Sequence, residues 1–360
     1  MMLWRRTFSV YRGGNIGSVM SASDRFALTD MSICIIGAPM AGGPSTPALA
    51  AAVSNAGGLG CLAGGLVSAQ RLAEDIVAAR TLTSRPIGVN LFVRQPHLGT
   101  PASFNAFAAA LAHETKRYGV ALGEPRRSAD DTAVKLDLVC ELRPEVVSFT
   151  LGSPTKAQCR QLANAGILVV ATVTTTHEAE IALRCGVDAV VAQGPFAGGH
   201  RATFDPLATP ADDPLDDLVA ALTFRFNCPV VAAGGLATAV DVARVRHSGA
   251  TAVQIGTALL LADEAGTDPV HRAALRDTQF DETTVTRAFT VRYARALRNR
   301  FIDEHEQDAT FGFPEIAMMT GPIQAAALKL GDPHGVALWA GAAFKSAKRA
   351  PAVDILRELA

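Results

Sequence analysis

Short apolar segments alternate with helical segments eight times before residue 262, and this alternation constrains the fold more than any other feature. The apolar segments are rich in alanine and valine, as is typical of strands that are buried on both faces of a parallel sheet. The predicted strands cover residues 33–37, 59–63, 87–91, 146–150, 167–173, 189–193, 230–233 and 252–255. Eight β–α repeats is the number at which a parallel sheet closes on itself. The sequence therefore predicts an α/β protein with a (β/α)8 barrel, or TIM barrel, over residues 31–262.

The segments outside this pattern predict the domain organisation. Residues 94–130 are too many for a strand-to-helix loop, so they are predicted to be an insertion with its own helix. Residues 263–345 show no strand pattern, and their charged residues recur at helical spacing, notably over 285–301. They are predicted to be a smaller, mainly helical segment that caps the barrel. A C-terminal helix is expected over residues 346–360, and residues 1–30 are expected to be a disordered extension.

The composition argues against several classes of partner. Hydrophobic residues make up 49% of the chain and the formal net charge is −1 with no sustained basic segment, so no nucleic-acid partner is predicted. No apolar run reaches the roughly 18 residues that a membrane-spanning helix needs, so no membrane partner is predicted. The six cysteines are scattered and form no C-x-x-C pair. Neither a disulfide framework nor a metal site is expected, and a reducing, cytoplasmic compartment is predicted.

Two glycine turns follow the last two predicted strands of the barrel. Residues 232–238 (AAGGLAT) and 254–258 (QIGTA) place glycine where a strand turns into a helix, with backbone N–H groups and a threonine hydroxyl free to face an anion. In (β/α)8 enzymes the loops after strands seven and eight frequently bind phosphate. Neither turn matches a P-loop or a dinucleotide fingerprint. A phosphate-bearing ligand such as FMN or a sugar phosphate is therefore predicted.

Other strand ends carry residues that can contact the remainder of such a ligand. Pro39, Met40 and Ala41 follow the first strand, and they can place backbone and a thioether against a flat ring. Asn90 and Gln193 stand at the ends of the third and sixth strands. Their amides can hydrogen-bond the carbonyl and nitrogen atoms of a ring, or they can simply cap loops.

A histidine ends the glycine-rich loop after the sixth strand. The glycines of this loop, Gly198 and Gly199 among them, let the backbone approach a ring closely. Imidazole has an ordinary pKa near neutrality, so His200 suits proton abstraction or a hydrogen bond to a developing anion. A lone histidine in such a loop is often just a solvated residue, and only its surroundings distinguish the two interpretations.

Taken together, the motifs resemble the nitronate monooxygenase family, formerly called 2-nitropropane dioxygenases. The motifs are GAPMAG at 37–42, AGGLG at 56–60, GVNL at 88–91, Gln193-Gly194 with Gly198-Gly199-His200, AGG at 233–235, QIGT at 254–257, Phe313-Pro314, TGP at 320–322 and LWAG at 338–341. The resemblance runs from about residue 33 to residue 345. It implies a TIM barrel with FMN as cofactor.

The resemblance also implies roles for residues. The flavin-ring contacts would be Asn90, Gln193, Gly198 and the adjacent Gly199. The ribityl-phosphate contacts would be Gly234, Gly235, Gln254, Gly256 and Thr257. His200 matches the active-site histidine of the family, which would orient a nitronate or deprotonate a neutral nitroalkane. The implied reaction oxidises an alkyl nitronate with dioxygen to a carbonyl compound and nitrite. The sequence does not show how many subunits assemble, and a homodimer is kept as one possible assembly.

Two alternatives stay open at this point. One is an FMN-dependent enoyl-acyl-carrier-protein reductase of the same barrel superfamily, which shares the Gly-Gly-His neighbourhood and takes electrons from NAD(P)H. The other is a non-catalytic FMN-binding barrel. The three interpretations differ in the electron donor that reduces the flavin: a nitronate for the monooxygenase, NAD(P)H for the reductase, and neither for the non-catalytic barrel.

Overall fold

The computed structural model describes residues 25–126, 131–309 and 311–360, and it contains the predicted barrel. In chain order the strands are β1 (Ile35–Gly37), β2 (Leu59–Ala63), β3 (Ile87–Phe92), β4 (Val146–Thr150), β5 (Leu168–Val173), β6 (Ala189–Gln193), β7 (Gly199–His200), β8 (Val230–Ala233), β9 (Ala252–Ile255), β10 (Thr283–Thr286) and β11 (Ala294–Leu297). All except β7, β10 and β11 form a closed parallel barrel, in which β9 pairs with β1. The (β/α)8 prediction is confirmed, and the predicted barrel strand ends differ by at most two residues.

The helices surround this barrel or belong to the segments that interrupt it. They are α1 (Pro47–Asn55), α2 (Ala69–Leu82), α3 (Pro101–Ala110), α4 (Ala112–Tyr118), α5 (Thr132–Leu142), α6 (Lys156–Asn164), α7 (Thr176–Cys185), α8 (Leu215–Arg225), α9 (Ala239–His247), α10 (Pro269–Ala274), α11 (Arg300–His305), α12 (Glu315–Leu330) and α13 (Ala352–Leu359). Several starts are encoded locally, because Thr46, Ser68 and Thr175 each accept the N3 amide of the following helix. In the part of the chain described, no helix is both long and apolar enough to cross a membrane.

The C-terminal helix completes the barrel. α13 packs between α9 and α1, so it is the eighth helix of the ring around the strands. The segment from 263 to 351, called the cap below, is therefore an insertion between β9 and its helix. Its two ends meet, because the amide of Asp263 donates to the carbonyl of Ala350 at 3.1 Å. The helix predicted over 346–360 begins later, at Ala352, since the chain first makes a short turn and then reaches Pro351.

Residues 25–31 close the barrel interior where the strands begin. Leu28 and Met31 are buried against barrel side chains such as Ile36. Arg25 Nη1 donates to Asp188 Oδ1 at 2.9 Å. The extension predicted over 1–30 must be shortened, because residues 25–30 pack on the barrel, whereas residues 1–24 lie outside the described residues.

The cap differs from its prediction in one region. β10 and β11 are antiparallel, and β11 also pairs with β7 from the loop after β6. The prediction of a helical pattern over 285–301 is wrong. The helix was predicted because charged residues recur at the spacing of an exposed helical face. One of these residues is Arg292, which is 2% exposed and donates to the carbonyl of Thr203 at 2.5 Å. A buried arginine that binds loop carbonyls cannot be distinguished from a solvated one by spacing.

Candidate active site

A cavity of about 380 Å³ opens at the C-terminal ends of the barrel strands, between the barrel and the cap. The turns after β1, β8 and β9 form its barrel side, and α12 and Trp339 belong to its cap side. Every residue that the sequence assigned to a site lines this cavity. These residues are Pro39, Met40, Ala41, Asn90, Gln193, Gly198, Gly199, His200, Gly234, Gly235, Gln254, Gly256 and Thr257.

The position of His200 is set by two elements. His200 is a residue of β7 and pairs with Ala294 of β11, so the cap sheet holds the loop from one side. Gln193 holds it from the barrel side: its Nε2 donates to the carbonyl of His200 at 3.0 Å, and its Oε1 accepts from the amide of Ala202 at 2.9 Å. Gln193 lines the cavity as predicted, but these hydrogen bonds make it the residue that positions the histidine loop.

The imidazole of His200 is anchored at one nitrogen. Nε2 lies 3.0 Å from Thr290 Oγ1. The ring of Phe313 stands edge-on at 5.5 Å between centroids, and the ring of Trp339 lies 5.6 Å away. Within the described residues Nδ1 makes no hydrogen bond, and it is not sealed from solvent. Since His200 lines the cavity, Nδ1 is the ring nitrogen available to a ligand.

The electrostatic surroundings keep this imidazole neutral. Burial and, to a smaller extent, the charge of Arg292 lower the pKa of His200 from 6.5 to about 3. Although one edge of the ring faces the cavity, the walls on its other sides exclude water. Arg292 is itself almost fully buried, and none of the described carboxylates lies within ion-pair distance of it. Burial lowers the pKa of Arg292 to about 10, so this arginine is still a cation at pH 7.

Asn90 is held by the neighbouring strand. Its side chain is 3% exposed, and Nδ2 donates to Ser148 Oγ and Thr150 Oγ1, both at 2.9 Å. Because these bonds use the amide nitrogen, the side-chain oxygen is the atom left to face a ligand in the cavity. The orientation of the amide follows from the backbone carbonyl of Ser148, which can only accept and lies 3.2 Å from Nδ2.

The glycine turn after β8 needs glycine for its backbone conformation, whereas Gly256 in the turn after β9 has a negative φ of −118°. Gly234 and Gly235 have φ of +114° and +73°, a region that residues with a Cβ rarely adopt. The hydroxyl of Thr238, predicted to be free for an anion, is not free: it donates to Asp241 Oδ2 at 2.8 Å. This capping box also occupies the amide of Thr238 at 3.0 Å. An anion at this turn must therefore use the earlier amides at the glycines, together with the turn at Thr257.

The residues around His200 that the sequence did not assign come from the cap. Phe313 and Trp339 lie in motifs on which the family resemblance rests. The resemblance singled out these two residues but did not predict that they lie beside His200. Thr290 and Arg292 have no local signal in the sequence. They come near His200 because the cap folds back over the barrel mouth, which is a property of the tertiary structure.

The fold and the cavity define a (β/α)8 protein with a cavity at its C-terminal mouth and a histidine that the cap holds in the wall of that cavity. This chain belongs to the nitronate monooxygenase family, whose sequence profile matches residues 25–360. A nitronate monooxygenase from Pseudomonas aeruginosa is 38% identical over 345 residues, which cover 94% of this chain and 98% of that protein. One from Paraburkholderia phytofirmans is 37% identical and covers 90% of each chain.

Two solved structures are similar to this chain over most of its length. A nitroalkane oxidase from Streptomyces ansochromogenes is 42% identical with a TM-score of 0.88, over 92% of this chain and 96% of that one. FabK from Thermotoga maritima is 26% identical with a TM-score of 0.71, over 92% and 93% of the two chains. The predicted family is confirmed.

Proposed function

We propose that this protein is an FMN-dependent nitronate monooxygenase, which oxidises an alkyl nitronate with dioxygen to a carbonyl compound and nitrite. The observation that carries the proposal is the state of His200: a neutral imidazole anchored at Nε2, with Nδ1 available to the cavity. Its family membership supports the same reaction. The small substrate and the flavin would share the cavity.

The cavity has features that fit FMN. Its volume is in the range of small-ligand sites, roughly 300–1,000 Å³. Gly234 and Gly235 form a tight turn in which a side chain would be strained, so backbone amides can approach a phosphate closely. Gly234, Gly235, Gly256 and Thr257 would hold the phosphate, and residues 39–41 with Asn90 would contact the ring. Bound there, FMN would accept electrons from the nitronate and pass them to dioxygen.

The hydroxyl of Thr290 controls what Nδ1 can do. In the structure this hydroxyl can donate to the carbonyl of Arg292 across a long contact of 3.4 Å. If it donates to Nε2 of His200 instead, Nδ1 carries the ring proton. Nδ1 can then donate a hydrogen bond to an oxygen of the nitronate. The buried charge of Arg292 favours an anion near this position.

The lowered pKa of His200 bears on whether the substrate is a nitronate or a neutral nitroalkane, which the sequence left open. An imidazole whose pKa is about 3 is a weak base at neutral pH, so it is poorly suited to remove a proton from a nitroalkane. A nitronate is already deprotonated and needs only a hydrogen-bond donor. We therefore expect the nitronate, rather than the neutral nitroalkane, to be the preferred substrate.

The first experiment is an anaerobic visible spectrum of the purified protein before and after addition of propionate 3-nitronate, with NADPH in a parallel sample. Reduction by the nitronate alone supports the proposal. Reduction by NADPH alone overturns it in favour of the reductase. A flavoprotein that neither donor reduces indicates the non-catalytic barrel, and a protein that cannot be reconstituted with FMN contradicts the cofactor.

Substitution of His200 tests whether the substrate and the cofactor are bound by different residues. His200→Asn should retain FMN and lower kcat by about 100-fold, the lower end of the loss that follows removal of one preorganised hydrogen-bond donor. His247→Asn, which changes an exposed histidine on α9, is the matched control and should keep full turnover. Loss of FMN from the His200 variant would contradict the division of roles between the histidine and the glycine turns.

The cellular compartment and the oligomeric state of this protein stay predictions. The six cysteines are free thiols, and burial raises the pKa of Cys61 to about 12, which makes it unreactive at neutral pH. Free thiols are compatible with the predicted cytoplasmic location. A homodimer is the assembly that we would test first, by size-exclusion chromatography with light scattering.

A further inference from the structure

Four side chains with metal-binding atoms meet on the outside of the cap, away from the cavity. His113 and Glu114 belong to α4 of the insertion, whereas Glu304 and His305 end α11 of the cap. One ligand atom from each of them lies within 4.8 Å of the others. We call these four residues the His–Glu cluster. None of them lines the cavity, so the cluster is separate from the proposed active site.

The spacing of the ligand atoms, none of them more than 4.8 Å from another, is near that of tetrahedral coordination. His113 Nε2 lies 2.9 Å from Glu114 Oε1 and 3.2 Å from Glu304 Oε2, and His305 Nε2 lies 3.9 Å from Glu114 Oε1. Ligand atoms at about 2.1 Å from a tetrahedral zinc ion are about 3.4 Å apart. Small side-chain adjustments would therefore close the site around an ion.

His305 provides an independent observation. This residue is 2% exposed, and its Nε2 is buried without a hydrogen-bond partner among the described residues. Its Nδ1 lies 3.0 Å from Asp308 Oδ2, an arrangement that places the ring proton on Nδ1 and leaves a lone pair on Nε2. That lone pair faces a carboxylate oxygen of Glu114, which is also an acceptor. A cation between two acceptors would satisfy both of them.

A resident guanidinium competes for two of the same oxygens. Arg300 Nη1 lies 2.6 Å from Glu114 Oε1 and 2.5 Å from Glu304 Oε2. Its Nη2 donates to Glu114 Oε2 at 2.9 Å, a contact that a metal at Oε1 leaves intact. None of the hydrogen bonds of Arg300 goes to His305 Nε2, so the arginine does not satisfy that atom.

The net charge of the His–Glu cluster and its neighbours favours the binding of a cation. Glu114, Glu304 and Asp308 bring three negative charges to the cluster. Arg300 and Arg117 bring two positive charges, the latter at 3.7 Å from Glu114 Oε1. With neutral imidazoles the sum is −1. The side chains of His113 and Glu304 are 50% and 37% exposed, so an ion can enter from solvent.

We infer that the His–Glu cluster binds a divalent transition-metal ion, with zinc as the best match to two imidazoles and two carboxylates in a tetrahedral arrangement. The ion would displace Nη1 of Arg300 and join the insertion helix α4 to α11 of the cap. Its role would be structural, since four protein ligands leave no open coordination position. Asp308 would orient His305 through Nδ1.

The test is zinc binding to the untagged, full-length holoprotein, measured by equilibrium dialysis against micromolar zinc and by thermal unfolding with and without the metal. We expect one zinc per chain and a higher Tm with zinc. His113→Ala should lose both effects, and because His113 is half-exposed this variant should fold. His247→Ala is the matched control and should keep both.

A further variant distinguishes a metal site from an ion-pair cluster. Asp308→Asn removes no metal ligand, and it should weaken zinc binding by about 10–100-fold, as expected for the partner that orients a ligating histidine. Failure of the wild-type protein to retain zinc would overturn the inference. Equal zinc binding by wild type, His113→Ala and Asp308→Asn would overturn it as well.

Discussion

At the scale of single residues, the chemistry of His200 depends on one group that is near it in the chain and on one that is distant. Gln193 binds the backbone of the histidine, and Thr290 contacts its ring. Since the threonine hydroxyl can donate or accept, it decides which ring nitrogen carries the proton. Thr290 is therefore a positioning residue, and its effect can be separated from that of the histidine.

We expect Thr290→Val to lower kcat for nitronate oxidation about tenfold, while FMN stays bound. Valine has nearly the shape of threonine but cannot donate to Nε2, and the loss of one hydrogen bond of about 1.4 kcal/mol corresponds to a factor of ten. Steady-state kinetics and the flavin content of the purified variants measure this. Thr290→Ser restores the hydroxyl and should recover most of the activity; equal losses in both variants would contradict the positioning role.

A second buried histidine makes stability depend on pH. Burial, opposed by the charge of Asp268, lowers the pKa of His271 from 6.5 to about 4. Between these values the unfolded chain binds a proton that the folded protein does not, so stability falls as the pH drops below 6.5 and this effect continues to about pH 4. Above pH 6.5 both states are neutral and the contribution vanishes.

His271→Leu should therefore reduce the loss of stability on acidification. Between pH 7 and pH 5 the wild-type protein should lose about 1–2 kcal/mol more of its unfolding free energy than the variant does. Urea denaturation at the two pH values measures the difference. His247→Leu, at an exposed position, should behave like the wild type, and an unchanged pH dependence in the His271 variant would show that this histidine is not buried in the neutral form.

At the scale of elements, β2 and α1 pack closely enough to require a glycine. A Cβ on Gly60 would lie 1.9 Å from the carbonyl oxygen of Ala50 in α1. Backbone cannot yield as a flexible side chain does, so the helix would have to move away from the strand. Gly37 in the adjacent strand β1 differs, because a Cβ there would meet side-chain atoms of Val53 and Leu259 at 3.3 Å or more.

This difference predicts the effects of two matched substitutions. Gly60→Ala should destabilise the protein by about 3 kcal/mol or more, because it overpacks a contact between rigid elements. Gly37→Ala should cost about 1 kcal/mol or less, since the side chains near it can adjust. Chemical denaturation of both variants tests the ranking. Similar losses would mean that α1 shifts freely on the sheet.

At the scale of the whole molecule, the order of elements along the chain explains how the cap is held. The cap leaves the barrel after β9 and returns to it before α13, so the last helix of the chain is also a part of the barrel wall. Leu356 of α13 has no exposed surface, and it belongs to the core shared by the strands and helices. Damage to this helix should therefore affect the barrel as well as the cap.

Leu356→Ala tests this arrangement. We expect it to cost about 2–5 kcal/mol of unfolding free energy, as is typical of leucine truncation in a core. Leu330→Ala at the end of α12 is the matched control: this leucine is 69% exposed, and its truncation should change stability by no more than about 0.5 kcal/mol. A small effect at Leu356 would mean that α13 packs loosely on the barrel.

Several site residues show how far local sequence information extends. Asn90 and Gln193 were correctly placed at the cavity, because a polar residue at the end of a buried parallel strand must lie at the barrel mouth. The partners of Gln193 could not be predicted, since they belong to a loop that returns only in the folded protein. The prediction of a free hydroxyl at Thr238 was wrong, because this hydroxyl belongs to a capping box that spans four residues, from Thr238 to Asp241.

The sequence by itself determined the barrel, the glycine turns and the end of the barrel at which these turns lie, because buried strands, helix caps and tight turns each have a local residue signature. The tertiary structure decided the sheet that holds His200, the threonine on its ring and the place of α13 in the barrel wall. These features depend on contacts between segments that are far apart in the chain. The residues of each contacting segment show no local sequence pattern from which their partner could be predicted. The His–Glu cluster belongs to the same group, since its two halves are about 190 residues apart.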